Sequence, residues 1–248
     1  MAFDTQRTAW TRGQAEAAQI DVGLRQYMLR VYNYMASGLA LTGITAALVA
    51  GTPALHDLFF QIGPRGAQGL TGLGWIALLA PFGLVLALSF GIGRMRASTA
   101  QGLFWLYAGL MGISLSSLFL AYTGASITRV FFITAASFAG LSLWGYTTRR
   151  SLSAFGSFLI IGLFGMIIAS VVNMFLASSM MQFVISVAGV IIFAGLTAYD
   201  TQKIKEMYWE ADGSEVAGKK AVMGALTLYL DFINLFILLL RFMGDRRQ

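Results

Sequence analysis

The hydrophobic pattern of this chain is a series of long apolar runs, not an alternation of apolar and polar positions. A window of about 19 residues picks out Tyr32–Gly51, Trp75–Ile92, Gly102–Tyr122, Val130–Tyr146, Ala154–Ala177, Met180–Tyr199 and Ala221–Leu240. About 20 residues at a rise of about 1.5 Å each cross a hydrocarbon core of about 30 Å, so each run predicts a transmembrane helix. Val130–Tyr146 is the shortest of the seven. Trp75, Tyr122, Trp144, Tyr146 and Tyr199 stand at or near the ends of these runs, where amphipathic rings favour the membrane interface. The connections are short except 52–74 and 200–220. One bundle follows, with no separate soluble domain. Pairs of small residues four apart, Gly38/Thr42, Gly112/Ser116 and Ala136/Gly140, suit close helix packing. Pro81 lies inside the second run, where it is expected to bend the helix.

The last run, AVMGALTLYLDFINLFILLL, carries Asp231 and Asn234 inside it. A carboxylate at membrane depth costs roughly 2.5–3.5 kcal/mol on insertion scales, so it faces protein or water rather than lipid. The fold class that follows is an all-α integral membrane protein of seven transmembrane helices, with the last one central and wrapped by the others. Thr227, Asp231, Asn234 and Arg241 fall on one helical stripe. Asp200, in GLTAYDTQKIKEMY, is the other acidic residue that touches an apolar run.

Composition agrees with the pattern. The chain is 57% hydrophobic and 11% charged, against about 25% charged in soluble domains. Its net charge of +6 is spread over short loops, which fits membrane orientation better than a nucleic-acid footprint. With no cysteine and one histidine, His56, neither a disulfide, a thiolate nor a multi-histidine metal centre is available within one chain. No cofactor is implied. Residues 1–27 hold Asp4, Arg7, Arg12, Glu16, Asp21 and Arg25 without an apolar core. They read as a cytoplasmic N-terminal segment rather than a cleaved signal, followed by a seven-helix domain over 28–248.

The basic residues set the orientation. With the N-terminus cytoplasmic, Arg7, Arg12, Arg25, Arg30, Arg94, Arg96, Arg149, Arg150, Lys203, Lys205, Lys219 and Lys220 share that side. Arg65, Arg129, Arg241, Arg246 and Arg247 take the other, twelve against five. That bias supports an N-in chain. The tail RFMGDRRQ is discordant. Either the last helix spans and leaves three arginines outside, or it is re-entrant and the tail returns. Spanning is the favoured reading.

Two carboxyl groups brought close in a low-dielectric site share a proton. Protonated, Asp200 and Asp231 would latch two helices; ionised, they would repel and attract a hard cation such as Ca²⁺. A proton-gated cation path, with the two aspartates as a transient Ca²⁺ site, is one reading. The other leaves Asp200 in a solvated ion pair with Lys203 or Arg94, and Asp231 hydrogen-bonded on its own. Depth counts against the pair, because Asp200 closes its run while Asp231 lies ten residues into the next. Arg94, on the same side as Asp200, either approaches the carboxylates or anchors the interface. Arg241 lies about 15 Å beyond Asp231 by helix rise and anchors the opposite interface.

AYDTQKIKEMY followed by GALTLYLDFINLFILLLRFMG resembles the closing signature of the Bax inhibitor-1 family, the transmembrane Bax-inhibitor-motif proteins. LYLDFINLF is its most specific part. The resemblance implies seven helices with the last one central, and a pH-sensitive Ca²⁺ leak. In the family a di-aspartyl sensor pairs two aspartates, which correspond here to Asp200 and Asp231. The family arginine that closes the second helix matches Arg94 loosely, since the surrounding residues differ. The arginine of the LLRF step matches Arg241. Asn234 stands beside the sensor in the same signature. The WEADGSE insert lengthens the 200–220 connection, and the second run holds no acidic residue. Bacterial members sit in the cytoplasmic (inner) membrane, with the bilayer and Ca²⁺ as their partners. One bacterial branch restrains the membrane protease FtsH, so an FtsH-type protease regulator is the alternative function. An intramembrane aspartyl protease fits poorly: Leu228-Tyr229-Leu230-Asp231 replaces Gly-x-Gly-Asp, and the prolines are Pro53, Pro64 and Pro81. A retinal protein fits less well, because every lysine lies in 203–220. The chain is read as a non-enzyme.

Overall fold

A computed structural model describes residues 2–62 and 68–247, with side chains over 22–61 and 69–247. Arg65 and the side chains of Arg7 and Arg12 lie outside the described residues. The elements are α1 (Ala2–Gly51), α2 (Pro53–Phe59), β1 (Phe60–Ile62), β2 (Gln68–Leu70), α3 (Gly72–Gly91), α4 (Ala97–Ala121), α5 (Gly124–Thr147), α6 (Ser153–Leu176), α7 (Ser179–Glu206) and α8 (Ser214–Met243). Seven helical segments among the described residues, Val22–Gly51 within α1 and then α3 to α8, are long and apolar enough to cross a membrane. The protein is an all-α integral membrane protein, and each of the seven apolar runs coincides with one of these helices, three of them ending on the residue just after it, Ile92, Tyr122 and Ala177. The short helix α2 and the β1–β2 hairpin fill the long 52–74 connection. His56 sits in α2 stacked on Phe60, not in an irregular loop.

Polar residues start the helices. Thr71 accepts a hydrogen bond from the Gly74 amide, Thr123 from Ser126 and Ser178 from Met181, each satisfying an amide that the helix itself leaves free. The α6 helix ends on Ala177 at φ 49°, and Asn173 turns back to accept from the Ser178 amide at 3.0 Å. Asn173 therefore serves its own turn rather than a neighbouring helix.

Helix α3 runs through Pro81. A proline has no N–H, so the carbonyl four residues earlier, Ala77, loses its helical donor. The Ser114 hydroxyl of α4 stands 3.1 Å from that carbonyl and 3.2 Å from the Leu110 carbonyl of its own helix, so its one proton is shared between them. This is how a proline is carried at membrane depth, where no water can replace the missing bond. Ser114→Ala is expected to destabilise the fold by about 1–3 kcal/mol, the cost of a buried carbonyl left unpaired. A lower thermal midpoint in detergent checks this, with the exposed Ser117 as control.

The helices differ widely in burial. The most apolar stretch of α8 is 67% buried, against 6% in α6 and 22–33% in the other spans. Helix α8 packs on α1, α4, α5 and α7, and α6 packs on α7. Around α8, the Tyr229 ring meets Phe104 and Tyr107 edge-on. The Thr42 hydroxyl donates to the Ala108 carbonyl at 2.8 Å, so it accepts from the Tyr229 hydroxyl at 2.6 Å. Of the small residues, Gly112 of α4 brings its helix onto the α1 backbone, since a β-carbon there would sit 2.6 Å from the Thr42 carbonyl oxygen, while Gly38 of α1 makes room for the Phe104 ring. Gly140 has nothing near it.

The C-terminal residues lie beside the α4–α5 turn. The Thr123 amide donates to Asp245 O, the Arg247 amide to Ala121 O, and Arg129 pairs with Asp245 at 2.7 Å. At the opposite end of the bundle the Ala97 amide donates to Glu215 at 2.6 Å, and Tyr27 packs on Tyr208. Helix α8 thus runs from one end of the bundle to the other, as the spanning reading expects, and is not re-entrant.

Candidate functional site

Asp200 does not close its helix. Helix α7 continues past it to Glu206, and α8 begins at Ser214, ahead of the apolar run that starts at Ala221. The polar first turns of α8 stand beyond the end of α7: Lys220 reaches back to donate to the Met207 carbonyl at 2.9 Å and pairs with Asp212. Farther in, Gly224 faces Ile204. Counting from that contact, Asp200 is four residues along α7 and Asp231 seven along α8. By helix rise they differ in level by only about 4.5 Å. Side chains lean toward the N-terminus of their own helix. Because α7 and α8 run in opposite senses, both leans close that gap. The two carboxyl groups are neighbours across the α7–α8 contact.

Asp231 is 4% exposed, and its Oδ2 is buried without a hydrogen-bond donor among the described residues. Asp200 is partly buried and has Lys203 as its charged neighbour on the same helix. Lys203 lies over the Tyr199 ring at 5.9 Å, and no ion pair joins it to Asp200 among the described residues. An ionised carboxylate only accepts hydrogen bonds, so two facing carboxylates offer each other nothing. One proton, or a cation, turns the contact from repulsive to bonding.

The other residues singled out from sequence lie apart from this contact. Arg94 is exposed in the turn after α3, with no ion pair among the described residues. Asn234 donates to the Leu230 carbonyl of its own helix at 2.8 Å. Arg241 is exposed in the last turn of α8, beside the C-terminal residues. No group of three metal-ligating side chains occurs among the described residues.

Sequence reading missed a polar line beside Asp200. Thr201 donates to the Thr197 carbonyl at 2.7 Å, so it accepts from Ser142 at 2.9 Å, and Ser142 accepts from Tyr32 at 2.6 Å. Each hydroxyl has one proton, which fixes this order from α1 through α5 to α7. Gln202 adds a second tie: it accepts from the Leu152 amide at 2.7 Å and donates to Arg150 O at 2.9 Å. Lys205 donates to Tyr146 O at 2.7 Å, where the α5 C-terminus favours a cation. Serine and threonine are common in membrane helices, so their sequence positions carried no signal. Tyr32→Phe is expected to lower stability by about 0.6–1 kcal/mol, read as a thermal shift in detergent.

The family model described as Inhibitor of apoptosis-promoting Bax1 matches residues 24–248. The chain belongs to the Bax inhibitor-1 family. That family consists of non-catalytic membrane proteins, and this chain is not an enzyme. Among relatives, an uncharacterised protein of Rickettsia prowazekii is 52% identical over 92% of this chain and 93% of its own length. The inner membrane protein YbhL of Escherichia coli is 44% identical over 91% and 94%. An uncharacterised membrane protein of Streptococcus pyogenes is 36% identical over 91% and 95%. Each is matched along nearly its whole length, so the likeness extends beyond the closing signature.

Proposed function

We propose that this protein is a pH-gated cation leak, with Ca²⁺ as the transported ion and Asp200 with Asp231 as its gate. The observation that carries the reading is the Asp231 Oδ2, buried and without a donor, facing a second carboxyl group on the neighbouring helix. Among the described residues, the groups around this pair are these. Lys203 is the charged neighbour on α7, and the hydroxyls of Tyr32 and Ser142 are engaged in the line that ends at Thr197. At low pH one shared proton ties α7 to α8 and the path is closed. As pH rises the proton leaves, two like charges push α7 and α8 apart, and the exposed oxygens receive a hard cation in transit. Helix α8 is the central helix in this reading, so a movement at its contact with α7 reaches the packing against α1, α4 and α5.

The protein belongs in a bacterial inner membrane, as the name of the Escherichia coli relative suggests. The chain divides into a cytoplasmic segment, 1–27, and a membrane domain, 28–248. The ends of α3, α5 and α7 then face the cytoplasm, which puts Arg94, Arg96, Arg149, Arg150 and Lys203 on the favoured side. Asn234 is the nearer polar residue along α8, Arg241 anchors the opposite interface, and Arg94 is an interface anchor that competes with the proton only if the pair opens.

The test is Ca²⁺ flux into liposomes holding the purified protein, from about pH 5 to 8, where a coupled carboxyl pair can titrate. Flux that rises with pH supports the gate. No flux at any pH rejects it and turns attention to an FtsH-type protease as partner, to be tested by capture with and without residues 1–20.

A further inference from the structure

Helix α3 packs on α4 rather than on α8, and a groove of about 650 Å³ remains between α3 and α8, floored by α4. Leu78, Phe82 and Leu86 of α3 form its outer wall and are exposed. Along α8 the groove runs from Leu230 to Arg241. Eleven residues of helix rise make this about 16 Å, close to half of a hydrocarbon core of about 30 Å. The groove is thus as long as one leaflet is deep, and its lining is almost wholly apolar.

Its charged end is Arg241. No carboxylate pairs with Arg241 among the described residues, and Asp245, four positions on, is held by Arg129 at 2.7 Å. Deeper in, Tyr107 belongs to the wall; it is 1% exposed, and its hydroxyl has no partner among the described residues. Asn234 lies between the two along the groove. An apolar slot one leaflet deep, with an uncompensated guanidinium at the interface end, is complementary to one kind of molecule.

We propose that the α3–α8 groove holds one acyl chain of an anionic phospholipid, with its phosphate on the Arg241 guanidinium. Guanidinium matches phosphate through paired N–H donors, a geometry that a zwitterionic headgroup uses less well because its own cation competes. The acyl chain lies against Leu78, Pro81, Phe82 and Val85 and passes Asn234, which lies about 10 Å below Arg241 by helix rise. A lipid seated there would wedge α3 against α8 and leave the α7 side of α8 untouched. The proposal therefore stands whether or not the aspartate gate does.

The test is native mass spectrometry of the intact, delipidated protein titrated with phosphatidylglycerol or phosphatidylcholine. One phosphatidylglycerol per chain is expected to survive desolvation, with phosphatidylcholine retained much less. Arg241→Gln is expected to weaken phosphatidylglycerol retention about tenfold, the scale of one charge-assisted contact. Val85→Trp, which fills the groove and leaves the charge in place, is expected to do the same, while Arg247→Gln leaves retention unchanged. Three results overturn the proposal: equal retention of both lipids, wild-type retention by both groove variants, or an equal loss in Arg247→Gln, which would mark a diffuse surface charge. A second protein copy in place of lipid, seen as a dimer mass lost on Arg241→Gln, also overturns it.

Discussion

Replacing either aspartate by asparagine is expected to abolish the pH response of Ca²⁺ flux and hold the protein near its low-pH, closed level. The carboxamide is nearly the same size as the carboxyl group and donates a hydrogen bond at every pH, so Asp231→Asn imitates the protonated latch permanently. Asp200→Asn does the same from the other helix. The magnitude follows from the charge removed. Two unit charges about 4 Å apart, at an effective dielectric near 20, repel by on the order of 4 kcal/mol. That is enough to bias a two-state helix contact by several hundredfold or more. Flux at the high-pH end is therefore expected to fall at least tenfold in each variant, measured in the liposome assay. Tyr32→Phe loosens the neighbouring hydroxyl line but leaves the charges in place, so its pH response is expected to persist. A response equally flat in Tyr32→Phe would mean that general loosening of the bundle, not the carboxyl pair, governs the flux.

Gly145→Leu is expected to produce the largest loss of stability, about 3 kcal/mol or more. A β-carbon at this position would sit 2.9 Å from the Ala198 Cα, closer than real contacts allow. What it meets is backbone, which cannot swing aside as a side chain does, and overpacking of this kind costs about 1–3 kcal/mol even where side chains can adjust. Ala198 is two residues from Asp200, so α7 would be displaced where it presents its carboxyl group. The pH response should weaken along with the thermal midpoint. Gly140→Leu, five residues earlier on the same helix, is the control. Position 140 has open space around it and faces no helix, so leucine there should leave both readouts unchanged. Equal damage at 140 and 145 would contradict the packing of α5 on α7.

The seven spans were legible because a bilayer demands about 20 apolar residues in a row, a signal that local irregularities do not erase. The high burial of α8 was legible for a related reason: Asp231 in an apolar run is tolerable only away from lipid. Hydropathy alone did not bring Asp200 and Asp231 to nearly the same level; depth counted against the pair that the closing signature suggested. Hydropathy placed the start of the last helix at Ala221, whereas the helix begins at Ser214 and its polar turns stand outside the α7 end, held by Lys220. Window averages cannot register such an offset, since the residues that set it are the ones the window discards. The leaning of the two side chains toward each other is likewise a property of antiparallel packing rather than of either sequence. The helix α2 and the β1–β2 hairpin escaped because they are too short to carry a period. Ser114 could have been paired with Pro81 only by knowing that α3 and α4 touch. Arg94 was placed near the pair by a loose motif match, and its position in an exposed turn shows the weight that basic residues carry as interface anchors.

The most direct test of the central claim is infrared difference spectroscopy of the protein in lipid, following the carboxylic-acid C=O stretch as pH is raised, with Asp200→Asn/Asp231→Asn as the blank. The shared-proton account predicts a protonated carboxyl band in the wild type that is absent from the blank and disappears over the same pH interval in which Ca²⁺ flux rises. A wild-type spectrum identical to the blank throughout that interval would contradict it, because the two aspartates would then hold no proton to release.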